Sequence, residues 1–178
     1  MKFALASHGT RGDIEPCTAV GRELVARGHE VCLAVPPNLV GLVQSGGLSA
    51  VAYGRDQQEG FWAEDFAREF WKIREKIDLW REAQDLLAQS WAEMSKTVVA
   101  LADGADLLLS GPGFPAIPAN VAEYLQIPFA TLQYFPMLPN GALHPALPAA
   151  VVRSVMKTLD RLQWRVTKKA EDAQRREL

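Results

Sequence analysis

The segment KFALASHGTRGDIEP, Lys2 to Pro16, decides the fold. Lys2 to Ser7 is a short apolar run of strand character, and His8 to Asp13 is a turn carrying Gly9 and Gly12. Beyond the turn, Cys17, Val20, Leu24 and Val25 recur at three-and-four spacing, the period of an amphipathic helix. Asp13 can cap that helix, and Pro16 fits its first turn, where a missing N–H costs nothing. Arg27-Gly28-His29 stops it.

Outward from this unit the pattern repeats. Glu30 to Val35 reads as a second strand closed by Pro36-Pro37. Asn38 to Gln44 is a short helix ended by Gly46-Gly47, and Leu48 to Tyr53 is a third strand. Strand, helix, strand, helix, strand with short connections is the pattern of right-handed crossovers in a parallel sheet. The strands are nearly continuous apolar runs, as expected when both faces of such a sheet are covered. The fold class is therefore α/β: a Rossmann-like parallel sheet with helices on both faces, forming one domain over 1–178.

Between Phe61 and Ala102 there is no glycine or proline, and Gln57 to Ala102 is charged and aromatic throughout. Trp62, Phe66 and Phe70 recur every four residues, followed by Ile73, Ile77 and Trp80, then Leu87, Trp91, Met94 and Val98. This insertion (57–102) reads as two helices or one bent helix. Asp106 to Ser110 returns to strand, Gly111-Pro112-Gly113-Phe114-Pro115 follows, and a helix runs to about Gln126. Pro128 to Tyr134 is a fifth strand, and Phe135 to Pro148 a proline-rich apolar loop. From Ala149 the apolar set Val152, Val155, Met156, Leu159, Leu162 and Val166 is helical. The charged stretch Thr167 to Leu178 carries no C-cap signal and reads as a chain running on into a connection.

Composition removes several function classes. Of 178 residues 48% are hydrophobic and 22% charged, with a net charge of -2, so nothing electrostatic points to nucleic acid. Two cysteines, Cys17 and Cys32, lie in apolar patterns and imply buried thiols rather than a disulfide framework. The first residues lack the apolar run and cleavage site of a secretory leader. Tyr124 to Val152 carries no formal charge, but Pro128, Pro136, Pro139, Pro145 and Pro148 exclude a spanning helix. The expected location is cytoplasmic, with at most peripheral membrane contact. His8, His29 and His144 show no metal-ligand spacing, and the chain contains no D-x-D.

In open α/β sheets ligands bind beyond the carboxyl ends of the strands, where the topology reverses. The loops at His8 to Asp13, at Gly111 to Phe114 and from Tyr134 onward should converge there. Gly9-x-x-Gly12 is not the dinucleotide fingerprint, and no P-loop lysine follows. Asp13 stands at the helix N-terminus, where its carboxylate would repel a phosphate. Two readings of Asp13 remain open at this point. It is a helix cap only, or it is a carboxylate at the mouth of a cleft that can take a hydroxyl proton. The dipole favours its ionised form, and Arg11 would add to this if its side chain turned inward.

His8-Gly9-Thr10-Arg11-Gly12-Asp13-Ile14-Glu15-Pro16 resembles the G-[ST]-R-G-D-[VI]-x-P opening of glycosyltransferases acting on glycopeptide antibiotics, sterols and bacterial glycolipids. Their N-terminal domain is also classed with the family 28 glycosyltransferases. Arg27-Gly28-His29-Glu30-Val31 with Pro36-Pro37, Ala122-Glu123 with Ile127-Pro128, and Arg175-Arg176-Glu177-Leu178 resemble later segments of the same group. The resemblance implies one half of a two-domain GT-B fold, with 149–178 as the C-terminal helix and start of the interdomain connection. It implies that this half holds the acceptor, while a C-terminal domain would bind a nucleotide-diphosphate sugar. The implied reaction inverts the anomeric centre and needs no metal or resident cofactor. The role of base passes to Asp13.

On the acceptor side the expected lining is His8, Thr10, Arg11, Gly111, Phe114, Gln133, Tyr134 and Phe135. For each, ordinary packing is an equal alternative. Trp62, Phe66, Phe70 and Trp71 read either as a lid over a hydrophobic hydroxylated acceptor or as packing against the sheet. Two rival functions are a non-catalytic small-molecule-binding domain and half of a sugar-nucleotide epimerase. The second predicts a small polar cleft, whereas these loops are apolar. An isolated half of this kind would transfer nothing.

Overall fold

The computed structural model describes residues 1–54, 76–136, 138–142 and 146–178, with side chains of 76–88 outside the description. Five parallel strands, β1 (Lys2–Ala6), β2 (Glu30–Val35), β3 (Ser49–Ala52), β4 (Leu107–Ser110) and β5 (Phe129–Thr131), form one sheet in the order β3-β2-β1-β4-β5. Helices α1 (Arg11–Ala26), α2 (Val40–Ser45), α3 (Lys76–Ala102), α4 (Ala116–Leu125) and α5 (Ala149–Glu177) surround it. A 3-10 turn at Pro37–Leu39 leads into α2, so the short helix after Pro36 starts with a tighter turn than the sequence predicts.

The sheet sorts alternate residues to opposite faces. Phe3 and Leu5 join Ile14, Cys17, Leu33, Val35, Val43 and Leu109 in one core under α1 and α2. Ala4 and Ala6 join Trp91, Met94, Val98, Leu108, Ile117 and Val121 in a second, under α3, α4 and α5. Small residues of β1 face the second core because the large side chains of α3 fill it. Leu5, Leu33, Leu108 and Ile117 are fully buried, each contributing about 1.5–3 kcal/mol by leaving water.

Several boundaries differ from the sequence reading. The fifth strand is three residues long rather than Pro128 to Tyr134. It is an edge strand paired only with β4, and after Leu132 N–H donates to Ser110 O at 2.7 Å the chain turns away. Lys76–Ala102 is a single helix of 27 residues, burying Trp91, Met94 and Val98 as their spacing predicts. Trp62, Phe66, Phe70, Trp71, Ile73, Pro145 and His144 lie outside the described residues, as do the side chains of Ile77, Trp80 and Leu87.

At the end of the chain α5 continues to Glu177, with Ala170 and Gln174 buried. Gln174 Oε1 accepts from Trp91 Nε1 at 2.8 Å and from Asn120 Nδ2 at 3.0 Å. Its Nε2 donates to Ser95 Oγ at 3.0 Å and Ile117 O at 3.1 Å. One amide thus ties α3, α4 and α5 together with its polar atoms paired, the condition for burying it without penalty. Arg175, on the same turn, reaches Glu123 of α4 at 3.2 Å.

Candidate functional site

β1 and β4 are neighbours, while β2 and β3 extend from the other edge of β1. The chain reverses direction across the sheet between them, which opens the crevice that ligands use in such folds. The loops after β1, β4 and β5 all leave the same end of the sheet, and specific contacts bring them together.

Thr10, not Asp13, is the N-cap of α1; Asp13 occupies the third helical position. The helix thus begins three residues earlier than a cap at Asp13 would place it, directly after the Gly9 turn. The Asp13 carboxylate reaches back as in a capping box: Oδ2 accepts from Thr10 N–H at 2.8 Å and Thr10 Oγ1 at 3.0 Å. Gly9 adopts φ +147°, and a Cβ there would collide with Asp13 Oδ2. The first glycine of the motif therefore makes room for the carboxylate rather than for a phosphate.

The other oxygen of Asp13 meets the fifth loop. Tyr134 OH donates to Asp13 Oδ1 at 3.2 Å and to the Asp13 carbonyl at 3.0 Å. Burial and then the adjacent carboxylate push the Tyr134 phenol well above its ordinary value, so it remains a donor throughout the physiological range. Asp13 itself is half-buried, with solvent access. Arg11 does not turn toward it: its guanidinium Nε pairs with Glu15 at 2.7 Å, both side chains largely exposed. The i,i+4 partner one turn along is nearer than a carboxylate two residues away on another side of the helix.

The fourth loop closes against the first on the opposite side. A Cβ on Gly113 would overlap His8 O, so glycine is required for that approach. Phe114 takes a left-handed backbone, φ 51°, which is uncommon for a bulky residue and aims its ring inward. The ring meets His8 edge-on at 5.6 Å and Trp91 at 6.0 Å, and His8 in turn meets Tyr53 at 6.0 Å. Gly111 is buried at the end of β4, where a Cβ would collide with Ser7 Oγ. Gln133 and Phe135 are exposed, and Phe135 packs at 5.3 Å on the Tyr134 ring.

The structure thus brings together Asp13, Thr10 and Tyr134 as one hydrogen-bonded group, and His8 with Phe114 as an aromatic group. Arg11, Gln133 and Phe135 stand on the rim. Tyr53 and Trp91 complete the aromatic group and were not singled out for it from sequence. Tyr53 directly follows the short strand β3, whose pattern does not say which side the next residue faces. Its hydroxyl is buried with no hydrogen-bond partner among the described residues. Cys17 lies under Asp13, and burial raises its thiol above the usual range, an inert position.

The family model of the glycosyltransferase family 28 N-terminal domain matches residues 3–143. A protein of Mycobacterium tuberculosis strain H37Rv, described as an uncharacterised glycosyltransferase, is 55% identical over 181 residues, covering 100% of this chain and 44% of its own length. The O-mycaminosyltylonolide 6-deoxyallosyltransferase of Streptomyces fradiae is 30% identical over 112 residues, covering 63% of this chain and 26% of that protein. Among solved structures, the calicheamicin glycosyltransferase CalG4 superposes with a TM-score of 0.56 over 95% of this chain and 42% of its own, at 13% identity. The chain spans less than half the length of the curated relatives it matches. With its sheet order, its R-G-D turn and a family match over most of its length, the chain belongs to the glycosyltransferase family 28 N-terminal domains.

Proposed function

We propose that this domain is the acceptor-binding half of an inverting, metal-independent hexosyltransferase, and that Asp13 is its base. The donor is a nucleotide-diphosphate sugar held by a second domain. The acceptor hydroxyl oxygen attacks the anomeric carbon from the face opposite the leaving group. As the new C–O bond forms, the bond to the diphosphate breaks and its electron pair departs with the nucleoside diphosphate. The acceptor proton passes to the Asp13 carboxylate.

The observation that carries this reading is the fixing of the Asp13 carboxylate by three side-chain and backbone donors at the topological reversal of the sheet. Two of the donors come from Thr10 and occupy Oδ2, while Oδ1 takes the longer bond from Tyr134. Oδ1 is the atom with spare acceptor capacity. A hydrophobic hydroxylated acceptor is supported by the apolar surroundings: the His8–Phe114–Trp91 aromatic group on one side and the Tyr134–Phe135 pair on the other. The Streptomyces fradiae relative is, by its name, a 6-deoxyallosyltransferase acting on O-mycaminosyltylonolide. Gln133, Tyr134 and Phe135 are the residues assigned to its rim contacts.

The test is product analysis with the full-length polypeptide, nucleotide-diphosphate hexoses and a panel of sterol, glycolipid and polyketide alcohols. The reading expects a glycoside of inverted anomeric configuration, formed equally well in the presence of a metal chelator. A retained configuration, or isomerised donor with no acceptor consumed, would replace it with a different chemistry.

A further inference from the structure

Helix α5 carries a second feature that the acceptor site does not use. Val151, Val155, Leu159, Leu162 and Val166 fall at intervals of three or four residues, and all are exposed, Leu159 by 59%. At about 100° per residue they form one stripe, set to the side of the buried positions Val152, Ala170 and Gln174. From Lys157 to Val166 every residue is exposed, so this part of the helix stands clear of the other described residues. Single exposed leucines are ordinary, but a continuous row on one face is not.

The charges along most of the same helix are one-sided. Between Ala149 and Ala170 it carries Arg153, Lys157, Arg161, Arg165, Lys168 and Lys169 against one carboxylate, Asp160, and Glu171, Asp172 and Glu177 follow. On the helical wheel Arg161, Arg165 and Lys169 border the stripe on the side away from the core, and Arg153 and Lys157 continue round the polar face. Lys168 is held by Asp172 at 3.0 Å and lies over the Trp164 ring at 5.5 Å. Arg153, Lys157, Arg161 and Arg165 have no carboxylate partner among the described residues. Leu147, Leu138 and Phe135, in the segment between β5 and α5, are exposed as well.

We propose that the exposed face of α5 docks on an anionic lipid surface, with the Val151–Val166 stripe in the headgroup boundary and the bordering arginines and lysine on lipid phosphates. A second copy of the chain fits this face poorly, because pairing two stripes brings the unpartnered Arg161 and Arg165 of each copy together. The stripe lies along one exposed helix face rather than in a groove, which suits an interface plane. The contact proposed is that of an amphipathic helix lying in the interface plane; no helix among the described residues is long and apolar enough to cross a membrane. The inference concerns binding alone and stands whether or not Asp13 is a base.

The experiment is co-sedimentation of the full-length polypeptide with vesicles of phosphatidylcholine alone and of phosphatidylcholine mixed with phosphatidylglycerol. Two variants accompany it, Leu159→Glu with Leu162→Glu, and Arg161→Gln with Arg165→Gln; circular dichroism and monomer sedimentation check that each stays folded. Binding is expected with the anionic vesicles, at least tenfold weaker with phosphatidylcholine alone, and reduced by raised salt. Each basic side chain beside an anionic surface contributes roughly fivefold in partitioning, so the arginine variant should bind at least tenfold more weakly. The leucine variant should lose binding even at low salt. No binding of the wild type to anionic vesicles overturns the proposal. So does equal binding by either variant, or a dimer that the leucine variant dissociates while vesicle binding is absent.

Discussion

Tyr134 OH donates to Asp13 Oδ1 at 3.2 Å, although the two residues are 121 positions apart in the chain. The contact spans the crevice between the first and fifth loops, so one phenol joins both walls of the site. Removing it should loosen the carboxylate without unfolding the domain. Tyr134→Phe should cost about 0.5–1.5 kcal/mol in denaturant unfolding. In the full-length enzyme it should lower kcat, as Asp13 samples more orientations, while Thr10 still anchors Oδ2. An unchanged unfolding midpoint and unchanged kcat would remove Tyr134 from the site.

Gly9 offers a sharper local test. At φ +147° any side chain is strained, and a Cβ collides with the carboxylate itself. Gly9→Ala should destabilise by about 1–3 kcal/mol and move Asp13 away from Thr10. Thermal unfolding measures the first effect, and turnover of the full-length enzyme the second. Gly28, also at positive φ but with open space around it, should give only the backbone cost when changed to alanine.

Gln174 should be among the most sensitive polar positions. Its amide satisfies Trp91, Asn120 and Ser95 at once. Gln174→Ala leaves buried donors unpaired and should cost about 3 kcal/mol. Arg175→Ala, which breaks only an exposed ion pair with Glu123, should cost less than about 1 kcal/mol. Paired thermal melts of the two variants decide it; a small loss at Gln174 would mean that α5 is not held by this amide.

Alkaline stability follows from the tyrosines. Burial raises both Tyr134 and Tyr53 above their ordinary range. A group raised in the folded state stabilises fully below its unfolded value, about pH 10 for tyrosine, and that contribution is lost as pH rises further. Unfolding temperature should therefore fall above about pH 10, and the fall should be shallower in Tyr134→Phe. Parallel curves for wild type and variant would contradict the role of this phenol.

Much of the fold was legible because each strand of the parallel sheet is an apolar run bounded by glycine or proline, as at Lys2 to Ser7 and Glu30 to Val35. Helix α3 was legible from the spacing of Trp91, Met94 and Val98. Strand β5 was overextended because PFATLQY keeps β character after its last ladder bond, and nothing local says where an edge strand departs. The burial of Gln174 was not legible because it sits among charges and depends on partners 54 to 83 residues away. At the site, the turn and its motif were visible, but the cap was placed on Asp13 rather than Thr10. The Tyr134 contact depends on the sheet order, which spacing alone does not give.

The central claim is that the Asp13 carboxylate receives the acceptor proton, and the direct measurement is turnover of full-length Asp13→Asn against wild type. The amide keeps an oxygen for Thr10 and nearly the same volume, so folding and acceptor affinity should survive. The account predicts a fall in kcat of roughly 10²–10⁴-fold with acceptor binding within a few fold of wild type. Equal nucleoside diphosphate release by the two proteins would contradict it.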